Sequence, residues 1–352
     1  MRPSTLCCLG VLLLASPAAC GTGSPLATAS QARTAPTPSQ AIASEARTAI
    51  PAGQTAGFVI YGANQRKDIY GWDGRFILRT DFYGTIGISP DGRYYVDSDG
   101  RIWSWAGEQT GTIGEWNSSV VAYASSSWAA DGDLYCASGE DSSGNSAIYI
   151  TDPQGHSRHL VLGSIDVASS ARTPRVQNVQ FSIWECSQRT NRAVVLDFSG
   201  GSTNETISLV SLSDGQLLSV PRLTNPQVGV FSSDARWWAQ PVVQSGGKWS
   251  TEVIDLTDGA VQTTISDAFP AAFSPDGSDL VVSDQATKVS MLNWRTGTEL
   301  WSTKGSGVSA GAASDPATNK LLLSVARPGT MAGADYWIVD GSGAASQFTP
   351  QS

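Results

Sequence analysis

His156 and His159 are the only histidines in the chain, and they fall together in Asp152-Pro153-Gln154-Gly155-His156-Ser157-Arg158-His159. Two imidazoles beside an aspartate could form a metal pair or an acid–base couple. The Pro, Gly and Asp around them are turn formers, which favours the plainer reading of two solvated turn residues. A serine hydrolase needs a base within reach of its nucleophile. The chain has no Gly-x-Ser-x-Gly elbow that opens a helix. Paired carboxylates could hydrolyse glycosides at suitable separation, but most aspartates sit in turn-like stretches. Asp97-Ser98-Asp99-Gly100 begins like a calcium loop and lacks the later acidic ligands, so it reads as a hairpin turn. No catalytic set, metal site or cofactor motif emerges.

Aromatic contacts are the other chemistry on offer, since the chain carries 12 tryptophans. Trp116 in Gly114-Glu115-Trp116-Asn117 and Trp249 in Gly246-Gly247-Lys248-Trp249 fall in predicted loops and are candidate ligand or partner contacts. Tyr83, Arg66 and Arg175 lie in comparable loops. Trp72, Trp105 and Trp294 differ: they share one repeat position at the end of a strand, which predicts packing between repeats.

What positions these residues is a repeating β unit. Gly is abundant at 36 residues, charged residues make up only 15%, and hydrophobic residues 41%. That mixture suits many short strands joined by tight turns. An apolar strand followed by a polar turn recurs seven times: Ile69 to Gly74, Ile102 to Gly107, Ile148 to Asp152, Leu209 to Gly215, Val253 to Gly259, Met291 to Gly297 and Tyr336 to Gly341. The copies recur about every 44 residues, within the range of a four-stranded propeller blade. A second signature precedes most of them, as in Ile88-Ser89-Pro90-Asp91-Gly92 and Phe273-Ser274-Pro275-Asp276-Gly277. Weaker copies are Ser127 to Gly132 and Phe231 to Ala235.

These residues resemble the WD-repeat-like and quinoprotein-like β-propeller superfamily over about residues 57 to 349. The resemblance implies an all-β, seven-bladed β-propeller of four-stranded antiparallel blades. Asn293-Trp294-Arg295-Thr296-Gly297-Thr298-Glu299-Leu300-Trp301 is similar to the docking turn of quinoprotein blades, but no quinone chemistry is carried over. The first blade reads as incomplete: Gly57 to Ile60, Asp68 to Trp72 and Phe76 to Arg79 give three strands with no innermost one. Closure by the C-terminal strand near Ala345 to Thr349 is the expectation. By the repeat alignment, both histidines fall in a turn between the third and fourth strands.

Residues 1–19 read as a signal peptide, with Arg2 ahead of the apolar run Leu6 to Ala15. That run is well short of the roughly 18–20 residues that span a bilayer. Pro17-Ala18-Ala19-Cys20-Gly21 resembles a bacterial lipobox, which implies acylation of Cys20 and cleavage before it; Pro17 stands where the family usually has leucine. An ordinary signal cut after Ala27-Thr28-Ala29 is the alternative. Residues 20–56 then form a tether rich in Ala, Ser, Thr and Pro, and residues 57–352 the propeller. A coil of that length reaches on the order of 30 Å. Of five cysteines, Cys136 and Cys186 remain for the folded part. Export places them in an oxidising compartment, which suggests a disulfide across a blade interface; two separate buried thiols are the alternative.

The formal net charge is −9 with no Lys/Arg cluster, which argues against nucleic acid. The expectation is a lipid-anchored envelope protein whose propeller is a non-catalytic binding or scaffolding module. Its partner would be a membrane through the anchor and a protein, carbohydrate or small ligand through the ring. The alternative is an extracytoplasmic lyase or glycosidase with carboxylates in the funnel.

Overall fold

The computed structural model describes residues 50–350 apart from 52–53, 62–65, 81–86, 98–99, 114–124, 130, 141–145, 162–180, 198–205, 220–228, 246, 310–312 and 329–333. Their regular structure is entirely β, in seven antiparallel sheets. Blade 1 holds β1 (Phe58–Tyr61), β2 (Lys67–Tyr70) and β3 (Phe76–Thr80). Blade 2 holds β4 (Gly87–Ile88), β5 (Tyr94–Val96), β6 (Arg101–Ser104) and β7 (Gln109–Thr112). Blade 3 is β8 (Ser125–Trp128), β9 (Tyr135–Glu140), β10 (Ser146–Thr151) and β11 (Ser157–Val161). Blade 4 is β12 (Phe181–Ser187), β13 (Arg192–Asp197), β14 (Thr206–Ser211) and β15 (Leu217–Ser219). Blade 5 is β16 (Val230–Phe231), β17 (Trp237–Val243), β18 (Trp249–Asp255) and β19 (Val261–Ser266). Blade 6 is β20 (Phe269–Phe273), β21 (Asp279–Ser283), β22 (Lys288–Asn293) and β23 (Thr298–Lys304). Blade 7 begins with β24 (Gly307–Ser309) and β25 (Ser314–Asp315), which both pair with β26 (Lys320–Ala326). It ends with β27 (Ala334–Asp340) and β28 (Ala345–Phe348).

Within a full blade the strands run a to d from the centre outward, each paired with the next. Middle strands such as β21, Asp-Leu-Val-Val-Ser, are buried along their whole length because a blade is covered on both faces. Outermost strands such as β19 alternate between half-buried and exposed. Blade 1 consists of strands b, c and d, as its sequence predicts.

The core is divided among the gaps between blades. Seven hydrophobic clusters sit one at each interface of the ring, including the closing interface between blades 7 and 1. Trp105 lies against Tyr95 with ring centroids 4.5 Å apart, and Trp294 against Trp237 at 5.0 Å. Trp301 of the docking-turn segment meets Trp337 of the next blade at 5.5 Å. Each such large ring, taken out of water, contributes on the order of 1.5–3 kcal/mol.

Ring closure works by packing. β28 pairs with β27 as strand d of its own blade, and it does not enter blade 1. Phe348 at its end lies 5.5 Å from Phe58 and 5.6 Å from Tyr70, so aromatic packing joins the last blade to the first. Cys136 on β9 and Cys186 on β12 are both fully buried and form a disulfide, a covalent link between blades 3 and 4.

Candidate binding face

The two faces of the ring are built differently. The a–b and c–d turns occupy one face, and all of them are short. In three a–b turns a serine hydroxyl donates to the aspartate two residues on: Ser89 to Asp91, Ser232 to Asp234 and Ser274 to Asp276. The same hydroxyl accepts the N–H five residues on, from Tyr94, Trp237 or Asp279, each at 2.9 Å. Gly92 and Gly277 adopt positive φ in these turns, which explains the Asp-Gly signature. Blade 5 places Ala235 there instead, at φ 51°.

Those turns also bind each other. Arg93 pairs with Asp91 of its own blade and reaches Asp133 of blade 3 at 3.8 Å. Asp131 accepts from the Ser187 hydroxyl and from Gln188 N–H at 2.9 Å, both on blade 4. Thr190 donates to the Asp234 carbonyl at 2.8 Å, and Ser233 to the Pro275 carbonyl. Asp276 and Asn319 exchange two hydrogen bonds between blades 6 and 7. From blade 2 to blade 7, hydrogen bonds and ion pairs between these a–b turns join each blade to the next.

One acid near these turns is shifted upward. Glu185 stands on β12 beside a bulge, with its Oε1 accepting Cys186 N–H at 3.2 Å. Crowding by the protein pushes its carboxyl well above the usual carboxylate range; the nearby Asp131 and Asp234 carboxylates push it further up, and the Cys186 N–H pulls it back.

The b–c turns and d–a connections occupy the opposite face. Some of these connections are long, spanning 113–124, 162–180 and 220–229. Here blade 5 exposes Trp249, 37% accessible, directly across the ladder from Val243 at 58%. The Trp249 ring stands edge-on to Phe269 at 5.6 Å. Lys248 and Asp267 form an ion pair beside them at 3.0 Å. The result is an apolar spot with an ionic margin. Trp249 is the first residue of β18 and not a loop residue, because the Gln244 N–H donates to the Lys248 carbonyl at 2.7 Å and closes the turn at Lys248. On blade 1, Arg66 Nη2 lies 3.1 Å from the buried Asp68, which Arg79 also grips at 2.7 Å.

Cys20, Tyr83, Trp116 and Arg175 lie outside the described residues. His156 sits in the c–d turn of blade 3, exposed, with Nδ1 2.8 Å from Asp152. His159 is instead on strand β11, opposite Tyr149. The two imidazoles do not share a site with other ligands: among the described residues no group of three or more His, Cys, Asp or Glu side chains could hold a metal. Asp97 is a b–c turn residue, accepting Arg101 N–H at 3.0 Å and Trp103 Nε1–H at 2.8 Å. Ser309 of Gly307-Val308-Ser309-Ala310-Gly311 is the last residue of strand β24. Val243, Phe269 and Glu185 were not singled out from sequence. For Glu185 a signal existed, an acid within the apolar run Phe181-Ser182-Ile183-Trp184-Glu185-Cys186.

Fold and faces together define a seven-bladed β-propeller with one welded face and one loop-bearing face. No protein-family model matches the chain, and no curated protein matches it. Among solved structures it is similar to the computationally designed Ika8 protein at 14% identity and TM-score 0.46, over 85% of this chain and 88% of that one. It is also similar to the β-propeller domain of Cps50 (Swd1) from Myceliophteria thermophila, at 10% identity and TM-score 0.46, over 79% and 95%. The Dos1 propeller gives 11% identity and TM-score 0.42, over 82% of each chain. The propeller assignment rests on the strand pairing of the chain itself.

Proposed function

We propose that this protein is an exported, lipid-anchored binding module that holds a protein partner on its b–c/d–a face. The observation that carries the reading is the asymmetry between the faces. One is tied turn to turn by hydrogen bonds across blades, while the other presents Trp249 and Val243 exposed beside an ion pair. Binding residues concentrate on loops held by a rigid scaffold, and aromatic anchors dominate contact energy. The anchor rests on the signal-like residues 1–19 and the lipobox-like setting of Cys20. A buried disulfide suits an oxidising compartment.

Two measurements test this. Mass spectrometry of the mature protein, with and without Cys20→Ser, is expected to find diacylated Cys20 at the N-terminus and membrane attachment that the variant loses. A soluble product cut elsewhere overturns the anchor. A photo-crosslinker replacing Trp249 is expected to capture a defined envelope protein, while one replacing Arg75 on the opposite face captures none. The reverse pattern overturns the choice of face.

A further inference from the structure

Glu185 and Ser187 stand two residues apart on β12, in the regular stretch beyond the bulge at Ile183, so their side chains share one face of the strand. Ser187 donates from its hydroxyl to Asp131 of the blade 3 turn, and Gln188 N–H donates to the other Asp131 oxygen at 2.9 Å. Arg189 follows, with Nε 3.8 Å from Asp131 and Nη2 3.9 Å from Asp234 of the blade 5 turn. Thr190 completes the set: its N–H donates to the Ser187 hydroxyl at 3.0 Å, and its hydroxyl to the Asp234 carbonyl at 2.8 Å. The turn 187–190 thus fastens blade 4 to blades 3 and 5, and the buried Asp131 carboxylate is its hub.

Three carboxylates from three blades gather at this turn, and one cation answers them. Arg189 is that cation, and its side chain is half exposed. The other charged groups of the neighbouring turns are engaged elsewhere. Arg93 reaches Asp133 from blade 2, Arg192 donates to Thr257, and Arg236 pairs with Asp255. Cys136 and Cys186 are joined and carry no proton. Among the described residues the only hydrogen bond to the Glu185 carboxyl is the one from Cys186 N–H. A neutral carboxyl suits those surroundings. An anion there would be a third negative charge with one N–H to hold it.

We propose that Glu185 is a proton-controlled latch for the turn 187–190. Protonated, it lets Asp131 and Asp234 close on that turn. Ionised, it repels both carboxylates and releases Gln188 and Thr190, so blade 4 loosens from its neighbours on this face. The Cys136–Cys186 bond, one residue away, keeps β9 and β12 joined meanwhile, so the opening stays local. The latch needs neither the lipid anchor nor the Trp249 spot.

Hydrogen exchange on the full-length protein from pH 4 to pH 9 tests this, with rates corrected for the pH dependence of free amides. The protection of Gln188 and Thr190 is expected to be full near pH 4. It should then fall by up to about tenfold per pH unit above the unfolded value of about 4.3, and level off once pH passes the raised folded value. Glu185→Gln, which keeps the shape of the protonated form, is expected to hold protection constant across the range. At high pH the two amides should exchange faster than those of β21, because the opening is local. A flat profile in the wild type overturns the proposal, and that arm stands even if the variant fails to fold. So does an equal fall in Glu185→Gln, or exchange at high pH no faster than in β21, which would mean that the whole ring opens.

Discussion

Asp276 and Asn319 hold each other across the gap between blades 6 and 7: Asp276 N–H donates to Asn319 Oδ1 at 3.1 Å, and Asn319 Nδ2 donates to Asp276 Oδ2 at 2.9 Å. Asn319 has φ 51°, a left-handed conformation that asparagine tolerates better than most residues. Asn319→Ala removes both hydrogen bonds and puts a poorly suited residue at that φ. The expected cost is about 1–3 kcal/mol. A urea titration checks it, as a lower midpoint with an unchanged slope.

The Cys136–Cys186 bond closes a loop with a sequence separation of 50, between two fully buried residues. Replacing both by alanine is expected to cost about 2–5 kcal/mol. Because the crosslink limits the unfolded chain, its loss should also steepen the denaturant slope. Equal midpoints with and without reductant, under conditions where mass spectrometry confirms reduction, would contradict this.

Glu185 gives a pH signature. Its folded carboxyl is raised chiefly by burial, so the folded chain binds that proton more tightly than the unfolded chain does. The contribution to stability is therefore full below the unfolded value of about 4.3 and is lost as pH rises through the raised folded value. Glu185→Gln imitates the protonated form. It is expected to raise the urea midpoint at pH 7.5 and to leave it nearly unchanged at pH 4. Asp284 works in the opposite direction. Against slight burial, the N–H groups of Lys288, Thr287 and Ala286 hold its carboxyl at about 2. Its contribution is present above the unfolded value and fades as pH falls toward 2, so the two groups separate on one pH series.

Much of the ring was legible because its turns carry their own chemistry. Ser89-Pro90-Asp91-Gly92 needs a hydroxyl, a carboxylate and a positive-φ glycine, and those types mark the turn in any copy. The three strands of blade 1 and the pairing partners Cys136 and Cys186 followed from aligning such turns. What failed to show were features set by neighbours in space. Gly246-Gly247-Lys248 marks a turn but not where it stops, so Trp249 read as loop although it pairs with Val243. His159 read as turn because its strand is short and polar; only pairing with Tyr149 makes it β. The C-terminal strand does close the ring, through Phe348, but the mode of closure was not legible: Ala345 to Phe348 pair with their own hairpin partner, and no sequence period encodes which edge a last strand will choose.

That choice makes Phe348 the point where closure can be tested. Its ring lies within 5.6 Å of Phe58, Tyr70 and Tyr336, and nothing on β28 pairs with blade 1. Closure of this interface therefore depends on side chains where other propellers could use shared backbone. Phe348→Ala removes a half-buried ring, so the cost should fall below the 3–5 kcal/mol of a fully buried phenylalanine, at about 2 kcal/mol. The loss should also be local. Hydrogen exchange is expected to accelerate in Phe58–Tyr61 and Ala345–Phe348, while β21 and β22 across the ring stay protected. Uniform acceleration in all seven blades would instead mean that the ring unfolds as one unit and that closure is no weaker than any other interface.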